Sequence, residues 1–559
     1  MNGRKAIYFG VGLTIATLCC ILMFYQSFLV FPEYDDEGHM MLKVRQLLEG
    51  YAIYDSVPDI YGPFFYMTSW LTYNTLGVPL STDTARLVNM VYWLAAACLC
   101  AASVWRVTGR FSLTILTLVA VVLELRVFAL GVSHPQAQAC CFMGLMTLAA
   151  TWLDRKRLTG PLIVYAAMAG ALVFTKINLG VFALAALGFT VVVGTGQKGF
   201  WTVARWLTLL VAVALPWLLT RTHLSDRQNF IYATSMSLSV LLLYWSARME
   251  AWDERLPNIP ALCIAFLLAG LTACLFVFTH GTTPGGLFGM IIVKAASFGG
   301  SFFNGLKTGW PEVVACLTAP TVFFLLRQRI SEGRERVAFP TFFSVLCKVM
   351  FGLIVLLGII PARPGGLLDN MRGAAIGSIG SPFLGLAMVA PLTMAKGSRL
   401  TRLAVSSLAL FEFLMVYPVA GAQKAIGSFL FIPVAAFCLS DALAWLEATH
   451  ASSRFRGLVT RLELPLAVLG SILLLLFPIL QFRKQYAERV PLDLPGTHWL
   501  RLEEDRVATH RWLAANINAH ADTFLVNIGL ISETVARLPG ALYHSALALW
   551  SVLLVSLRA

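Results

Sequence analysis

Three consecutive carboxylates, Asp35, Asp36 and Glu37, stand where a long apolar run ends, in the stretch FPEYDDEGHMMLKVRQLLEG (31–50). Acidic residues in a row can do two kinds of chemistry. One carboxylate can take a proton from an attacking hydroxyl as a general base. Several together, here with His39, can hold a divalent cation, oxygen ligands suiting magnesium, calcium or manganese. Capping a helix N-terminus accounts for one acidic residue, not three. A carboxylate at the edge of an apolar segment is costly to desolvate, which points to function. The residues alone leave both chemistries open.

The elements that position this cluster can be read from the spacing around it. Met40, Met41, Val44, Leu47 and Leu48 recur at three- and four-residue intervals, so the stretch after the carboxylates predicts an amphipathic helix, with Lys43, Arg45 and Glu49 on its polar face. Next comes an irregular segment, YDSVPDIYGPFFYMTSW (54–70). There Asp55 and Asp59, between prolines, are candidates for substrate contact. Tyr54, Tyr61, Tyr66 and Trp70 have the ring faces to stack on a ring-shaped substrate, Tyr61 being the candidate taken forward, and the aromatic belt of a membrane interface is the default reading for all four.

The chain has 559 residues, 58% hydrophobic and 13% charged, with mean hydropathy +0.75. Soluble domains carry about a quarter charged residues, so this composition predicts an all-α polytopic membrane protein. The first apolar run, 6–31, is too long for a signal-peptide core and reads as a retained span. Further apolar runs lie near 86–105, 111–131, 136–153, 203–220, 230–247, 260–279, 311–327, 341–361, 377–395, 403–420, 428–447 and 464–482. The segment 161–195 is one tilted helix or two helices meeting at Thr175–Asn178. Charge decides: one helix would place RQRISEGRER (327–336) and RFRGLVTR (454–461) outside, against the positive-inside rule. Two helices give fifteen spans, a cytoplasmic N-terminus, and outer loops at 32–85, 280–310 and 362–376.

Residues 483–559 alternate charged and apolar positions and then run through TFLVN (523–527), which predicts a small non-cytoplasmic α/β appendage to a membrane domain spanning 1–482. Whether 541–557 spans the membrane is not fixed by the pattern. The formal charge of +13 comes from basic residues spread over short loops, which argues for topology and against nucleic acid. The eleven cysteines sit mostly inside apolar runs, with no C-x2-C spacing. A P-loop and a dinucleotide glycine fingerprint are lacking.

A first transmembrane helix, an acidic pair (Asp36-Glu37), an amphipathic helix (HMMLKVRQLLEG) and an aromatic-proline segment, in that order, resemble the entry of the C-type glycosyltransferase superfamily. The similarity is to its bacterial branch, related to protein mannosyltransferases and the aminoarabinose transferase of lipid A. SHPQAQA (133–139), FTKINLG (174–180) and YPVAGAQKAIGSFLFIP (417–433) resemble later landmarks of that branch. The resemblance implies a multi-pass bacterial inner-membrane enzyme with a helical bundle and outer-face loops. It would move a sugar from a polyprenyl-phosphate carrier to a lipid, glycan or protein acceptor on the periplasmic face, with inversion. By the same resemblance Asp36 is the base and Glu37 orients the acceptor; Asp35 is an extra carboxylate that leaves the base's identity open. No cofactor is implied, although a divalent cation at Asp35, Asp36 and Glu37 fits the residue types, and a monomer is expected.

A phosphate leaving group needs nearby positive charge. The outer-face cations are Arg126, Lys176, Lys294, Arg372 and Lys424, of which Lys176, at the break in 161–195, and Lys424, beside Gln423, are the expected donor contacts. Interfacial snorkelling is the simpler role for Lys294. His134 opens a helix and is a further substrate candidate. Glu412 lies within a span and is expected to have a structural hydrogen-bond partner. Two rival readings stand beside this one. A carrier or flippase of lipid-linked glycans needs charges near the midplane, for which Glu412 and Lys348 are the main candidates. An O-antigen polymerase or ligase concentrates basic residues in one late outer loop, whereas here the acidic first loop stands out.

Overall fold

The computed structural model describes residues 3–31, 36–129, 134–153, 158–248, 256–294, 310–331, 338–359, 379–389, 399–418, 423–449 and 454–520. Over these the chain is almost entirely helical, and nine helices are long and apolar enough to cross a membrane. Exposed large apolar side chains such as Phe200, Leu210, Leu267, Leu317 and Phe477 lie on the outward faces of such helices. In water that arrangement would be unfavourable; in lipid it is solvation.

Helix α1 (Gly3–Ser27) is followed by α2 (Asp36–Leu48), α3 (Pro63–Trp70) and α4 (Thr82–Thr108). A Ser81–Thr84 capping box starts α4, and Gly109 ends it at φ 66°, a left-handed conformation that favours glycine. Next come α5 (Phe111–Glu124), a 3-10 turn Leu125–Ala129, and α6 (His134–Ala150). The disputed segment forms two helices, α7 (Thr159–Val173) and α8 (Ile177–Gly194), with Lys176 as the N-terminal flanking residue of α8. Then follow α9 (Phe200–Thr220), α10 (Arg227–Arg248), α11 (Ile259–Thr279), α12 (Pro284–Phe288), α13 (Trp310–Ser331) and α14 (Ala338–Ile359).

Of the expected span at 377–395 the structure describes 379–389. Its described part is a buried 3-10 segment, Ser381–Met388. Eight residues at about 2 Å each reach roughly half of a 30 Å hydrocarbon core. Non-α backbone at depth is tolerable because neighbouring helices enclose it. The chain continues through α15 (Arg399–Glu412), a 3-10 turn Phe413–Val416, α16 (Gln423–Ser428), α17 (Phe431–Thr449) and α18 (Arg454–Glu488). Small residues let the helices approach: at Gly144 an added Cβ would lie 3.1 Å from Leu99 Cβ, at the contact of α4 with α6.

Side-chain links sort the helix ends onto two sides of the bundle. On one side Arg110 pairs with Glu447 at 2.8 Å and Glu463 at 2.9 Å, and Tyr8 stacks on Phe111. On the other side lie the end of α1, the starts of α2 and α4, the α7–α8 hairpin and the end of α18. A second, smaller core forms on that side: Met40, Val44 and Leu47 of α2 pack with Tyr54, Tyr66, Val277 and Leu287.

The C-terminal region departs from α18, which runs six residues beyond the expected end of its span at 482, to Glu488. An antiparallel pair, β1 (Val490–Pro491) and β2 (Arg501–Leu502), leads to α19 (Glu504–His520). It is docked on the end of α1: Phe31 joins Leu492, Leu500, Leu502 and Val507, and the Arg501 N–H donates to the Phe28 carbonyl at 3.0 Å. The expected TFLVN strand and 541–557 fall outside the described residues.

Candidate functional site

The acidic cluster opens α2. Asp35 and the Asp36 side chain lie outside the described residues; the backbone makes Asp36 the first residue of the helix. Glu37 is 1% exposed and fully engaged. Arg86 of α4 donates to it through Nε at 2.9 Å and Nη2 at 2.7 Å. The same guanidinium donates to the carbonyls of Val30, at 2.9 Å, and Ser27. One arginine therefore ties the end of α1, the start of α2 and the start of α4 together. A bidentate pair of this kind fixes orientation as well as distance. Glu37 thus serves as an anchor that sets where Asp36 stands, and with both oxygens facing a guanidinium it is poorly placed to ligate a cation. Among the described residues no group of three or more His, Cys, Asp or Glu is placed to hold a metal ion.

The candidate contacts of the first loop prove to hold the loop itself. Asp59 is 3% exposed, pairs with Lys43 Nζ at 2.9 Å and accepts from the Tyr66 hydroxyl. Lys43, expected on the solvated face of α2, is turned inward by that pair. Tyr54 and Tyr66, expected in an interfacial belt, are instead buried in the small core, with the Tyr54 hydroxyl donating to the Tyr61 carbonyl at 2.6 Å. Asp55 accepts from the backbone N–H and hydroxyl of Thr283, both at 2.7 Å, so the first loop is strapped to the start of α12. Both aspartates take part in holding the loop.

Tyr61 and Lys176 do come together: the Lys176 ammonium lies 5.9 Å from the Tyr61 ring centre. Backbone pairing holds them there. Gly62 N–H donates to Thr175 O at 2.9 Å and Phe64 N–H to Phe174 O at 2.7 Å. At Gly62 a Cβ would sit 2.1 Å from the Phe174 carbonyl oxygen, so only glycine permits the approach.

Gln423 and Lys424 begin α16, which packs against the Leu125–Ala129 turn that carries Arg126. Ser428 donates to Glu124 Oε1 at 2.7 Å across that contact. The Gln423 side-chain carbonyl is buried without a partner among the described residues. His134 opens α6, and its side chain is outside the description. Asn89, almost one turn beyond Arg86 on α4, donates to the Phe128 carbonyl at 3.1 Å and so connects the Glu37 anchor to the Arg126 turn.

Glu412 corrects an expectation. It is 0% exposed, and neither carboxylate oxygen has a hydrogen-bond partner among the described residues. Lys348, the other midplane candidate, is neutralised differently: it bonds Asp441, which also takes Arg402 through two contacts at 2.7 Å.

Arg86 is the position of this site that the sequence alone did not single out. Arg86 reads there as one more loop cation, and its partner is 49 residues away. No protein-family model and no curated protein matches this chain.

Proposed function

We propose that the protein is a membrane glycosyltransferase that uses a polyprenyl-phosphate-linked sugar, with Asp36 as general base at the non-cytoplasmic end of a helical bundle in a bacterial inner membrane. The observation that carries the reading is the anchoring of the α2 start: Glu37, Arg86 and the last carbonyls around α1 hold the Asp36 backbone at a fixed point of the bundle end. A base works only if held within reach of the proton it takes. Lys176, against Tyr61 on the same side of the bundle, supplies a cation for the leaving phosphate. In this scheme Asp36 accepts the acceptor's hydroxyl proton as its oxygen attacks the anomeric carbon, and the carbon–oxygen bond to phosphate breaks on the opposite face. The lipid phosphate leaves as an anion stabilised by Lys176, with Lys424 and Arg126 on the neighbouring α16 contact.

The test is transfer by purified protein from radiolabelled polyprenyl-phosphate sugars to an endogenous lipid or glycan extract. Asp36→Asn is expected to lower transfer at least 100-fold with an unchanged thermal midpoint. Full transfer by both Asp36→Asn and Asp35→Asn would remove the base from this site.

A further inference from the structure

Below Lys176 the bundle contains a set of polar atoms that the fold leaves unmatched. Glu412 closes α15, Tyr165 lies on α7, and Gln136 stands on α6 one turn above Cys140. The Glu412 oxygens, the Tyr165 hydroxyl and the Gln136 side-chain carbonyl are all buried without a hydrogen-bond partner among the described residues. Glu412 and Tyr165 are 0% and 1% exposed. Tyr165 lies within electrostatic reach of Glu412, and Cys140 within reach of both Glu412 and Lys176. Helices α6, α7, α8 and α15 pack in sequence around them.

Buried polar groups are almost always satisfied, so several orphans converging on one place require a partner. Their chemistry says what kind. Each offers an acceptor oxygen, and a phosphate diester has no donor to offer it; hydroxyl groups do. Depth agrees. Tyr165 is eight residues from the end of α7, about 12 Å along the helix, and Lys176 caps the next helix at that end. Along this hairpin the order from the bundle end inward is cation, then phenol, which matches a phosphate followed by a polyhydroxylated ring.

We infer that Glu412 and Tyr165 form a buried site for the hydroxyl groups of the sugar carried on the lipid phosphate, with Lys176 above it at the phosphate. The inference rests on the lipid-linked-donor reading and adds to it the residues that select the headgroup. Glu412 is a binding residue here, separate from the base at Asp36.

The experiment compares binding of bare polyprenyl phosphate with polyprenyl-phosphate glucose, mannose, galactose and an aminopentose, by titration of intrinsic tryptophan fluorescence in detergent. Wild type is expected to bind at least one headgroup form about tenfold tighter than the bare carrier. Glu412→Leu and Tyr165→Phe should abolish that increment and leave bare-carrier affinity within about twofold, whereas Lys176→Gln should weaken both ligands. Unliganded Glu412→Leu should melt no lower than wild type, because it removes a buried carboxylate that the fold does not pair. An increment that survives in both variants, no increment in wild type for any headgroup, or a fall of more than about 5 °C in the unliganded midpoint of Glu412→Leu would each overturn the site. No turnover is needed, so the outcome is independent of the transfer assay: an increment absent from wild type, or surviving in both variants, with Asp36-dependent transfer intact rejects this site alone. An intact increment with no Asp36 dependence rejects the catalytic assignment alone.

Discussion

Breaking the Glu37–Arg86 pair should destabilise the protein far more than its surface charges would suggest, and removing both partners should recover much of the loss. Glu37 is 1% and Arg86 3% exposed, and two contacts of 2.7 and 2.9 Å join them. For unit charges about 4 Å apart in an effective dielectric near 20, the attraction is about 4 kcal/mol. Arg86→Met leaves a buried carboxylate facing no cation and frees the carbonyls of Ser27 and Val30. Glu37→Gln leaves a buried guanidinium with carbonyl partners only. Removing one member of a buried pair costs about 3–5 kcal/mol, much of it the stranded charge. The double variant Glu37→Gln/Arg86→Met strands neither, so it should be more stable than either single variant, with a coupling of about 2–3 kcal/mol. Thermal and denaturant unfolding in detergent, with the slope of the denaturant dependence checked for constancy, measures all four corners of the cycle. Transfer activity should fall in both single variants because the start of α2 loses its anchor. Additivity within about 0.5 kcal/mol would refute the argument, as would a double variant no more stable than the singles.

Gly62→Ala should destabilise by about 2–4 kcal/mol, since its Cβ meets the Phe174 carbonyl and the two backbone hydrogen bonds of the loop must part; a wild-type thermal midpoint would contradict this. Asp441→Asn strands Lys348 and Arg402 together and should cost about 3–5 kcal/mol, part of it restored by adding Lys348→Met, as read by the same unfolding assay. Burial, with Arg506 beside it, holds the His510 imidazole down at about 4. The folded state therefore resists a proton that the unfolded chain accepts near pH 6.5. Stability is complete above that pH and is lost as pH falls toward 4, by about 1.4 kcal/mol per unit and about 3 kcal/mol in all. His510→Gln should flatten this part of the pH profile of unfolding, and an unchanged profile would show that His510 does not set it.

The sequence by itself determined that the chain is a multi-pass helical membrane protein, because length and composition of apolar runs follow directly from bilayer thickness. It also determined the break at Thr175–Asn178. There the charge rule acted over the whole chain, where local hydropathy could not decide. The amphipathic stripe of α2 was legible for the same reason: period is a local property. Only the tertiary structure decided which polar residues are spent on the fold. Lys43 and Arg86 read as loop cations until Asp59 and Glu37 are seen against them, and Asp55 reads as a substrate contact until Thr283 closes on it. The 3-10 backbone at Ser381–Met388 cannot be told from α-helix in hydropathy, since both leave the same composition. Glu412 shows the reverse case. The sequence expected a partner, and the described fold gives it Tyr165 as a neighbour without a hydrogen bond. Pairing depends on contacts between residues far apart in the chain, and no local period or spacing encodes it.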